Sequence, residues 1–445
     1  MNLDSISHRL FQLAFAALAL FIPFSIAGAN IAIGFGLLAW LLSALSASMR
    51  EAPADSPQAR RPSVLRDPLL PASLLLVVSA LPSLFMSEDF TRAFKDWRSY
   101  WLLLIYFLVA ANLAAHRLRE VAFWVLFASM TISCLVAFVQ RAGGIDWWFI
   151  QLGEKHRVES TLYTMTFAGI LYQVIILNFA LALRGAAPGL SAARWRLRAG
   201  WWAVLLWAGV GVQFVAIIMT VTRGAWVALF AGLATVCVMV RNKTALALSA
   251  LAVAVVLVFA FATVEDTGRN ISPAKFAQEI DIHARTRLVL WDIAWDLIKQ
   301  HPLLGVGMGD FSTEADNLVG ERNITTTTDT HNVYLQVLAT RGLVGFIPFV
   351  LFWVVVLRSL FGLKRRSERG SVDWHYAVAA IGVTVAMLFG ALTENNIDDE
   401  EVFISYLFIL GLALGANYRM GGRERPVTEL SGTDASEPTG TDDRP

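Results

Sequence analysis

Residues 163–183 read YTMTFAGILYQVIILNFALAL, a run without a single charged side chain. A helix of about 20 apolar residues is long enough to cross the hydrocarbon core of a bilayer. Similar runs recur along the 445-residue chain, which is 56% hydrophobic and 16% charged, whereas soluble domains carry about 25% charged residues. The pattern therefore predicts an all-α polytopic membrane protein.

The apolar runs predict about 12 transmembrane helices in one membrane domain, residues 1–420. They lie near Leu10–Ile26, Ala29–Ala47, Pro68–Met86, Tyr100–Ala115, Val121–Val139, Tyr163–Leu183, Trp201–Thr220, Gly224–Val240, Ala245–Ala262, Leu343–Leu357, Tyr376–Leu392 and Val402–Tyr418. The first run lacks a clear cleavage site and a second follows at once, so we expect it to be retained. Residues 421–445 are rich in Gly, Thr, Ser, Asp and Pro, which predicts a disordered cytoplasmic tail.

Lys and Arg in the short loops predict the orientation, because cytoplasmic loops carry an excess of them. Alternate loops are basic: Arg50, Arg60, Arg61 and Arg66; Arg117 and Arg119; Arg184, Arg194, Arg196 and Arg198; Arg241 and Lys243; and five residues between Arg358 and Arg369. The intervening short loops hold fewer such residues. Both termini are therefore predicted to be cytoplasmic, in an inner membrane, with one large periplasmic loop at about residues 264–342.

Several classes of function are not favoured by the composition. The net charge of +1 gives no indication of a nucleic-acid partner. Cys134 and Cys237 both fall inside predicted spans, so we expect no disulfide framework and no thiolate metal site. A flippase or transporter would place charged residues in many spans, and here the spans are nearly free of charge apart from Arg223.

The large loop combines helical stretches with a glycine-rich segment. An apolar stripe at helical spacing is formed by Leu288, Trp291, Trp295 and Ile298. Residues 331–341 form a second helical stretch, and LLGVGMGDF at 303–311 lies between them. A phosphate-binding loop would need Gly-Lys-Ser/Thr or a preceding strand. We therefore interpret the segment as a turn that shapes the loop.

Five short motifs carry a family resemblance: TRGAW at 222–226, RLVLW at 287–291, HPLLGVG at 301–307, HNVYLQVL at 331–338 and GLVG at 342–345. Each motif is weak alone, but their order and spacing over about residues 220–345 resemble the O-antigen ligase and polymerase superfamily. The hydropathy pattern extends the resemblance to the whole chain.

The resemblance implies a GT-C-like membrane fold and an inverting glycosyltransferase that needs no cofactor. The donor would be a polysaccharide on undecaprenyl diphosphate, and the ligase branch transfers it to a sugar hydroxyl of lipid A–core. The polymerase branch instead joins carrier-linked repeat units, and a third branch glycosylates protein. We favour the ligase, because one large loop carries the His and Gly motifs; the polymerase and a lipid-linked glycan flippase remain alternatives.

Two arginines are candidates for binding the donor diphosphate. Arg223 lies between two apolar runs, and a cation at membrane depth costs about 2.5–3.5 kcal/mol unless it faces a polar cavity or a partner. The plain alternative is an arginine that snorkels to the interface. The resemblance implies that Arg223 and Arg287 bind phosphate, for which the planar guanidinium is well suited. Arg287 is expected to open the amphipathic helix, and Arg285 is its rival.

His331 is the candidate general base among the seven histidines. A lone histidine is more often structural, but the resemblance implies a catalytic role at this position. Histidine in general has a reference pKa near 6.5, so neutral imidazole can accept a proton at periplasmic pH. His301 and Asn332 belong to the same motifs and are secondary candidates.

An acidic turn at residues 394–401 follows the eleventh predicted span. Such a turn could hold Mg²⁺ or Ca²⁺, but it is more often solvated, and the predicted first external turn (Ala27–Asn30) has no carboxylate. We therefore expect no metal. Glu394, nearest to the span, could orient a sugar or an arginine, and Arg98 and Lys95 at another outer span end could contact lipid phosphates.

Overall fold

The computed structural model describes residues 3–48, 64–113, 116–142, 160–185, 196–241, 273–319 and 329–420. Within these ranges the chain forms only helices, two of them short 3₁₀ turns at Val64–Arg66 and Ser99–Leu102. The α-helices are α1 (Leu3–Phe21), α2 (Ile26–Ser48), α3 (Leu69–Ser79), α4 (Leu81–Met86), α5 (Phe90–Arg98), α6 (Leu103–Asn112), α7 (His116–Arg141), α8 (Thr164–Gly185), α9 (Arg196–Met219), α10 (Arg223–Val240), α11 (Pro273–Gln300), α12 (Phe311–Val319), α13 (Val333–Arg366), α14 (Val372–Gly390) and α15 (Glu400–Met420). The predicted all-α class is confirmed for this part of the chain.

Eight stretches of the described chain are long and apolar enough to cross a membrane. They are Ile26–Ser46, Leu69–Met86, Arg117–Arg141, Thr164–Arg184, Arg223–Val240, Val333–Arg366, Val372–Gly390 and Glu400–Tyr418. Each overlaps a predicted span, although Val333–Arg366 is much longer than the span predicted at Leu343–Leu357. The chain is therefore a multi-pass membrane protein, because several such helices are packed into one body.

Four predicted spans differ from these eight. The spans near Leu10–Ile26 and Trp201–Thr220 correspond to shorter apolar helices, Ile6–Phe21 and Ala203–Met219. The span predicted at Tyr100–Ala115 is occupied by the 3₁₀ turn Ser99–Leu102 and α6 (Leu103–Asn112), and it is not among the eight stretches. The span predicted at Ala245–Ala262 and the tail after residue 420 lie outside the described residues.

The centre of the bundle is formed by α8, α14 and α15, which pack on one another and leave little of their surface exposed. Their sequences are apolar on every side, which is typical of helices enclosed by other helices. Two polar side chains of α8 form bonds to neighbouring helices: Asn178 donates to Gln213 at 2.8 Å, and Gln173 donates to the Val402 carbonyl at 3.0 Å. Such bonds hold helices together where water is excluded.

The loops predicted to be external meet at one end of the bundle, which we call the external end after this prediction. Their contacts are Ser87–Asp310, Ser99–Glu400 and Thr166–Asp399, at 2.8, 2.9 and 2.6 Å. The loops predicted to be cytoplasmic meet at the other end, through Arg119–Asp373 at 2.7 Å and Arg366–Asn417 at 3.0 Å. The short first turn belongs to the external end, but it lies between α1 and α2 at residues 22–25, not at Ala27–Asn30 as predicted.

The large external segment contains more helix than the sequence pattern predicted. α11 begins at Pro273, so Arg287 lies in its middle and does not open it, and α12 was not expected. The predicted apolar stripe is also wrong in part, because Leu288 and Trp295 are exposed. The buried face is displaced around the helix and consists of Leu290, Ile293, Ala294 and Leu297 with Ile298, packed on Phe311 and Ala339.

Candidate functional site

A kink in α13 lies where the segment of α11 and α12 packs on α13. At Gly342 the backbone leaves helical geometry, with φ 57° and ψ −164°, a combination open almost only to glycine. The kink frees polar groups, and the glycine-rich turn satisfies them: Leu343 N–H donates to the Pro302 carbonyl at 2.9 Å, and Val306 N–H donates to the Ala339 carbonyl at 2.9 Å. The HPLLGVG and GLVG motifs are therefore two halves of one backbone junction.

The N–H groups of four consecutive residues in the glycine-rich turn, 305–308, are bonded to carbonyls of the protein. Gly307 N–H donates to the Thr340 carbonyl at 3.1 Å, and Met308 N–H donates to the Ser83 carbonyl at 3.3 Å. A phosphate-binding loop needs such N–H groups to point at the ligand. The segment is thus a turn that docks on α13, as interpreted from the sequence.

Gly342→Ala is expected to destabilise the protein, because a Cβ there would meet the carbonyl carbon of Leu303 and the positive φ would be retained. The strain alone costs about 1–3 kcal/mol, and the collision with backbone adds to it. The midpoint of thermal unfolding of purified protein measures the loss. Gly370→Ala is the matched control, because Gly370 also has a positive φ but nothing lies within 4 Å of its Cβ position. Equal losses in the two variants would contradict the docking argument.

Arg287 forms an ion pair with Glu394 that joins α11 to the turn before α15. Arg287 Nη2 donates to Glu394 Oε1 at 2.9 Å, and the two side chains are 34% and 17% exposed. The start of α10 lies against the same carboxylate: a Cβ on Gly224 would be 2.9 Å from Thr393 Oγ1 and 3.0 Å from Glu394 Cγ. Arg223, exposed, is the first residue of α10. Both candidate arginines therefore belong to segments that meet at Glu394.

His331 lies in the segment that leads into α13. Its φ of 48° is left-handed, a conformation in which histidine is several-fold enriched among non-glycine residues. Asp329 Oδ1 accepts from the His331 backbone N–H at 2.7 Å and lies 3.3 Å from ring Nδ1. The Thr330 carbonyl accepts from Trp291 Nε1 at 2.9 Å. Because Trp291 follows Arg287 by one helical turn, α11 positions both Arg287 and the histidine segment.

Asn332 holds the histidine segment in place by capping α13. Its Oδ1 accepts from the N–H groups of Tyr334 and Leu335 at 3.0 and 3.1 Å, which satisfies donors that the first turn leaves free. The next residue, Val333, donates its N–H to the Ala391 carbonyl at 2.9 Å. The capped helix start is therefore fixed beside the turn that carries Glu394.

The remaining sequence candidates lie around this centre. Lys95 and Arg98 are both exposed in the last turn of α5. Lys95 lines a cavity described below, and Arg98 is not among the residues that line it. His301 is exposed in the turn after α11, and no contact found among the described residues joins its ring to Glu394.

A cavity of about 380 Å³ opens at the external end of the bundle, next to the histidine segment. It lies between α5, the Gly309 turn, α13 and the turn before α15. Asp329, which holds His331, and Asn395, which follows Glu394, both line it. The volume falls within the usual range of small-molecule sites, about 300–1,000 Å³.

Arg341 is one of the cations that line this cavity. Its Nη1 donates to the Tyr100 hydroxyl at 2.8 Å, its guanidinium carbon lies 5.6 Å from the centre of the Tyr100 ring, and its Nε is buried without a hydrogen-bond partner among the described residues. The pKa of the Asp398 carboxyl, across the cavity, is raised, because desolvation outweighs the opposite effect of Arg341. The pKa of the Asp96 carboxyl is raised for the same reason, and Arg341 again opposes the rise.

Asp329 and Arg341 were missed by the sequence reasoning. Arg341 carried a usable signal, because it is the one charge between residues 333 and 357, and a charge in an apolar span is a functional-site candidate. Asp329 carried none, since its partner is known only once the backbone turn is known. Among the described residues, no group of three or more His, Cys, Asp or Glu side chains is arranged to hold a metal ion.

Residues 208–350 match a family model described as O-antigen ligase. The matched segment contains Arg223, Arg287 and His331, together with the glycine-rich turn and the kink at Gly342. A search of curated proteins found no match to the chain.

Proposed function

We propose that this chain, whose residues 208–350 match a family model described as O-antigen ligase, transfers O-antigen polysaccharide from undecaprenyl diphosphate to a sugar hydroxyl of lipid A–core. The reaction takes place at the periplasmic face of the inner membrane, inverts the anomeric centre and needs no metal. One observation carries the proposal: Arg287 pairs with Glu394, the start of α10 next to Arg223 lies against the same carboxylate, and Trp291, one turn after Arg287, donates to the carbonyl of Thr330 beside His331.

The proposed reaction is one displacement at the anomeric carbon of the donor. The bond from the acceptor oxygen to that carbon forms, and the bond to the carrier diphosphate breaks, so the configuration inverts. The acceptor hydroxyl is a poor nucleophile, and His331 takes its proton. The diphosphate leaves as an anion, and Arg223 and Arg287 stabilise its charge.

Glu394 and Asp329 prepare these groups in the proposed mechanism. Glu394 accepts a hydrogen bond from the Arg287 guanidinium at 2.9 Å, so this planar group is positioned before the donor binds. Asp329 lies 3.3 Å from His331 Nδ1, which favours a proton on that nitrogen and leaves Nε2 as the proton acceptor. The same arrangement of a carboxylate behind a histidine base operates in catalytic triads.

The direct test uses purified protein, a defined carrier-linked glycan and two acceptors supplied separately. Lipid A–core should become glycosylated, and a second carrier-linked repeat unit should not. Chain extension on the repeat unit alone would establish the polymerase alternative. Movement of intact donor across vesicles without any new glycosidic bond would instead establish a flippase.

The proposed orientation predicts that two engineered cysteines are labelled from opposite sides of the membrane. The native Cys134 and Cys237 are buried and should not react. Thr313→Cys in α12 and Glu368→Cys between α13 and α14 are at exposed positions on the two ends of the bundle. In intact cells with a permeable outer membrane, an impermeant maleimide should label the first and not the second. Labelling of only the second would reverse the proposed sidedness.

Metal independence predicts that transfer persists in excess EDTA. The arginines supply the positive charge that the leaving group needs, and residues 22–25, which form the first external turn, include no carboxylate. Initial rates with and without EDTA, in protein first dialysed against chelator, give the answer. A loss of rate that Mg²⁺ or Mn²⁺ restores would move the charge-stabilising role to the acidic turn near Asp398 and Asp399.

A further inference from the structure

The cavity beside the histidine segment is separate from the arginines that the proposed mechanism uses. Arg223 and Arg287 are not among the residues that line it, whereas Asp329 and Asn395 are. From this geometry we infer that the cavity binds the sugar head group of the acceptor glycolipid, an inference that rests on the proposed function. The diphosphate and the accepting hydroxyl are then handled by two sets of residues that meet at His331.

The charges of the cavity suit a neutral, hydroxyl-rich group better than a phosphate. Its cations are Arg92, Lys95 and Arg341, and its carboxylates are Asp96, Asp329, Asp398 and Glu400. Carboxylates outnumber cations, so a dianionic phosphate would meet net repulsion. A sugar hydroxyl both donates and accepts, and it can bridge a carboxylate and a guanidinium that lie side by side.

Arg341 is the polar anchor of this wall. One nitrogen donates to the Tyr100 hydroxyl at 2.8 Å, while Nε is buried with no partner among the described residues. A buried donor without a partner costs about 1–3 kcal/mol, and a small shift of the Arg341 side chain towards a ligand oxygen would remove that cost. Desolvation raises the pKa of Asp398, and hydroxyl donors of a bound sugar would stabilise its carboxylate.

The inner part of the cavity is apolar. Phe349, Phe352 and Trp353 of α13 line it together with Leu102 and Phe403, and all five are buried. Trp353 follows Arg341 by twelve residues, or about 18 Å along a helix. The cavity therefore runs from a polar external end, where the sugar hydroxyls would bind, to an apolar end among the spans.

Cysteine protection tests the location without turnover. Ser99 lines the cavity, where its hydroxyl donates to Glu400 at 2.9 Å, and Ser99→Cys is nearly isosteric. In nanodiscs, lipid A–core and octyl glucoside should slow maleimide labelling of this cysteine about 10-fold or more at saturation, and octyl phosphate should not. Thr313→Cys, which does not line the cavity, is the control and should label at the same rate throughout.

Two labelling results would overturn the inference. Protection of Ser99→Cys by octyl phosphate but not by octyl glucoside would show an anion site. Free labelling of Ser99→Cys under saturating lipid A–core, in a preparation that transfers glycan, would place the acceptor elsewhere. Protection in a preparation without transfer would count against the proposed function and leave the acceptor site standing.

Asp398→Asn provides the kinetic test, because it keeps the shape of the side chain and removes its charge. Hydrogen bonds to charged groups contribute enough that KM for lipid A–core should rise about 10–100-fold. The affinity for carrier-linked donor should stay within about twofold. Glu88→Gln, an exposed carboxylate at the same end of the bundle that does not line the cavity, is the matched control. A loss of donor affinity with an unchanged acceptor KM would assign Asp398 to the donor and contradict the inference.

Discussion

His331→Ala is expected to lower the rate of glycan transfer by about 10²–10⁴-fold, the usual contribution of a positioned acid or base. The diphosphate contacts of Arg223 and Arg287 remain in this variant, so donor affinity should change little. Single-turnover rates and donor binding, measured on the same purified protein, separate the two quantities. A protein that no longer binds donor would show that His331 is a phosphate ligand.

The backbone at His331 requires a second variant, because its φ is 48° and alanine is disfavoured there. Asparagine tolerates this conformation better, so His331→Asn removes the ring with less strain. Both variants should lose transfer to a similar extent. If His331→Asn kept wild-type activity per folded molecule, the histidine would be structural. His301→Ala, in the exposed turn after α11, is the matched control and should retain transfer.

The wild-type rate should fall towards acid pH. A protonated imidazole has no lone pair with which to accept the hydroxyl proton, so transfer requires the neutral form of the base. His331→Asn should lose this dependence along with most of its rate. A pH profile that is the same in the variant and in the wild type would assign the titration to another group.

Arg287→Ala is expected to weaken donor binding about 10–100-fold and to reduce transfer at least as much, because each charge-assisted contact contributes about 1.5–3 kcal/mol. Arg223→Ala should behave alike. Lysine at either position should rescue poorly, since a point charge cannot bind phosphate with two parallel N–H groups. Full activity of a lysine variant would exclude bidentate binding at that position.

Arg285→Ala distinguishes between the two arginines of α11. Arg287 contacts Glu394 at 2.9 Å, whereas Arg285 lies two residues away and is exposed, about 200° around a helix with 3.6 residues per turn. We expect the Arg285 variant to bind donor with nearly wild-type affinity. A larger loss at Arg285 than at Arg287 would exchange their roles.

Helices and their apolar character were predictable because both depend on local sequence. An uncharged run such as residues 163–183 has no alternative to a helix in a bilayer, where each backbone group must find its partner inside the same segment. The short loops divide into a basic set and a less basic set for an equally local reason. The structure places these two sets at opposite ends of the bundle. The predictions failed where the local pattern is ambiguous, as at the start of α11.

The arrangement of the site depended on the tertiary structure. The motif residues were identifiable one by one, but Arg287 meets a carboxylate 107 positions away, and Arg341 meets the hydroxyl of Tyr100 241 positions away. Such pairs depend on how helices cross and where α13 bends at Gly342. The sequence by itself determined the membrane class, the helices and the candidate residues, because hydropathy and charge act over one or two turns. Only the folded structure decided that Asp329 holds His331, because that contact depends on the left-handed backbone turn at His331. Only the packing of distant segments decided that a cavity lies beside it.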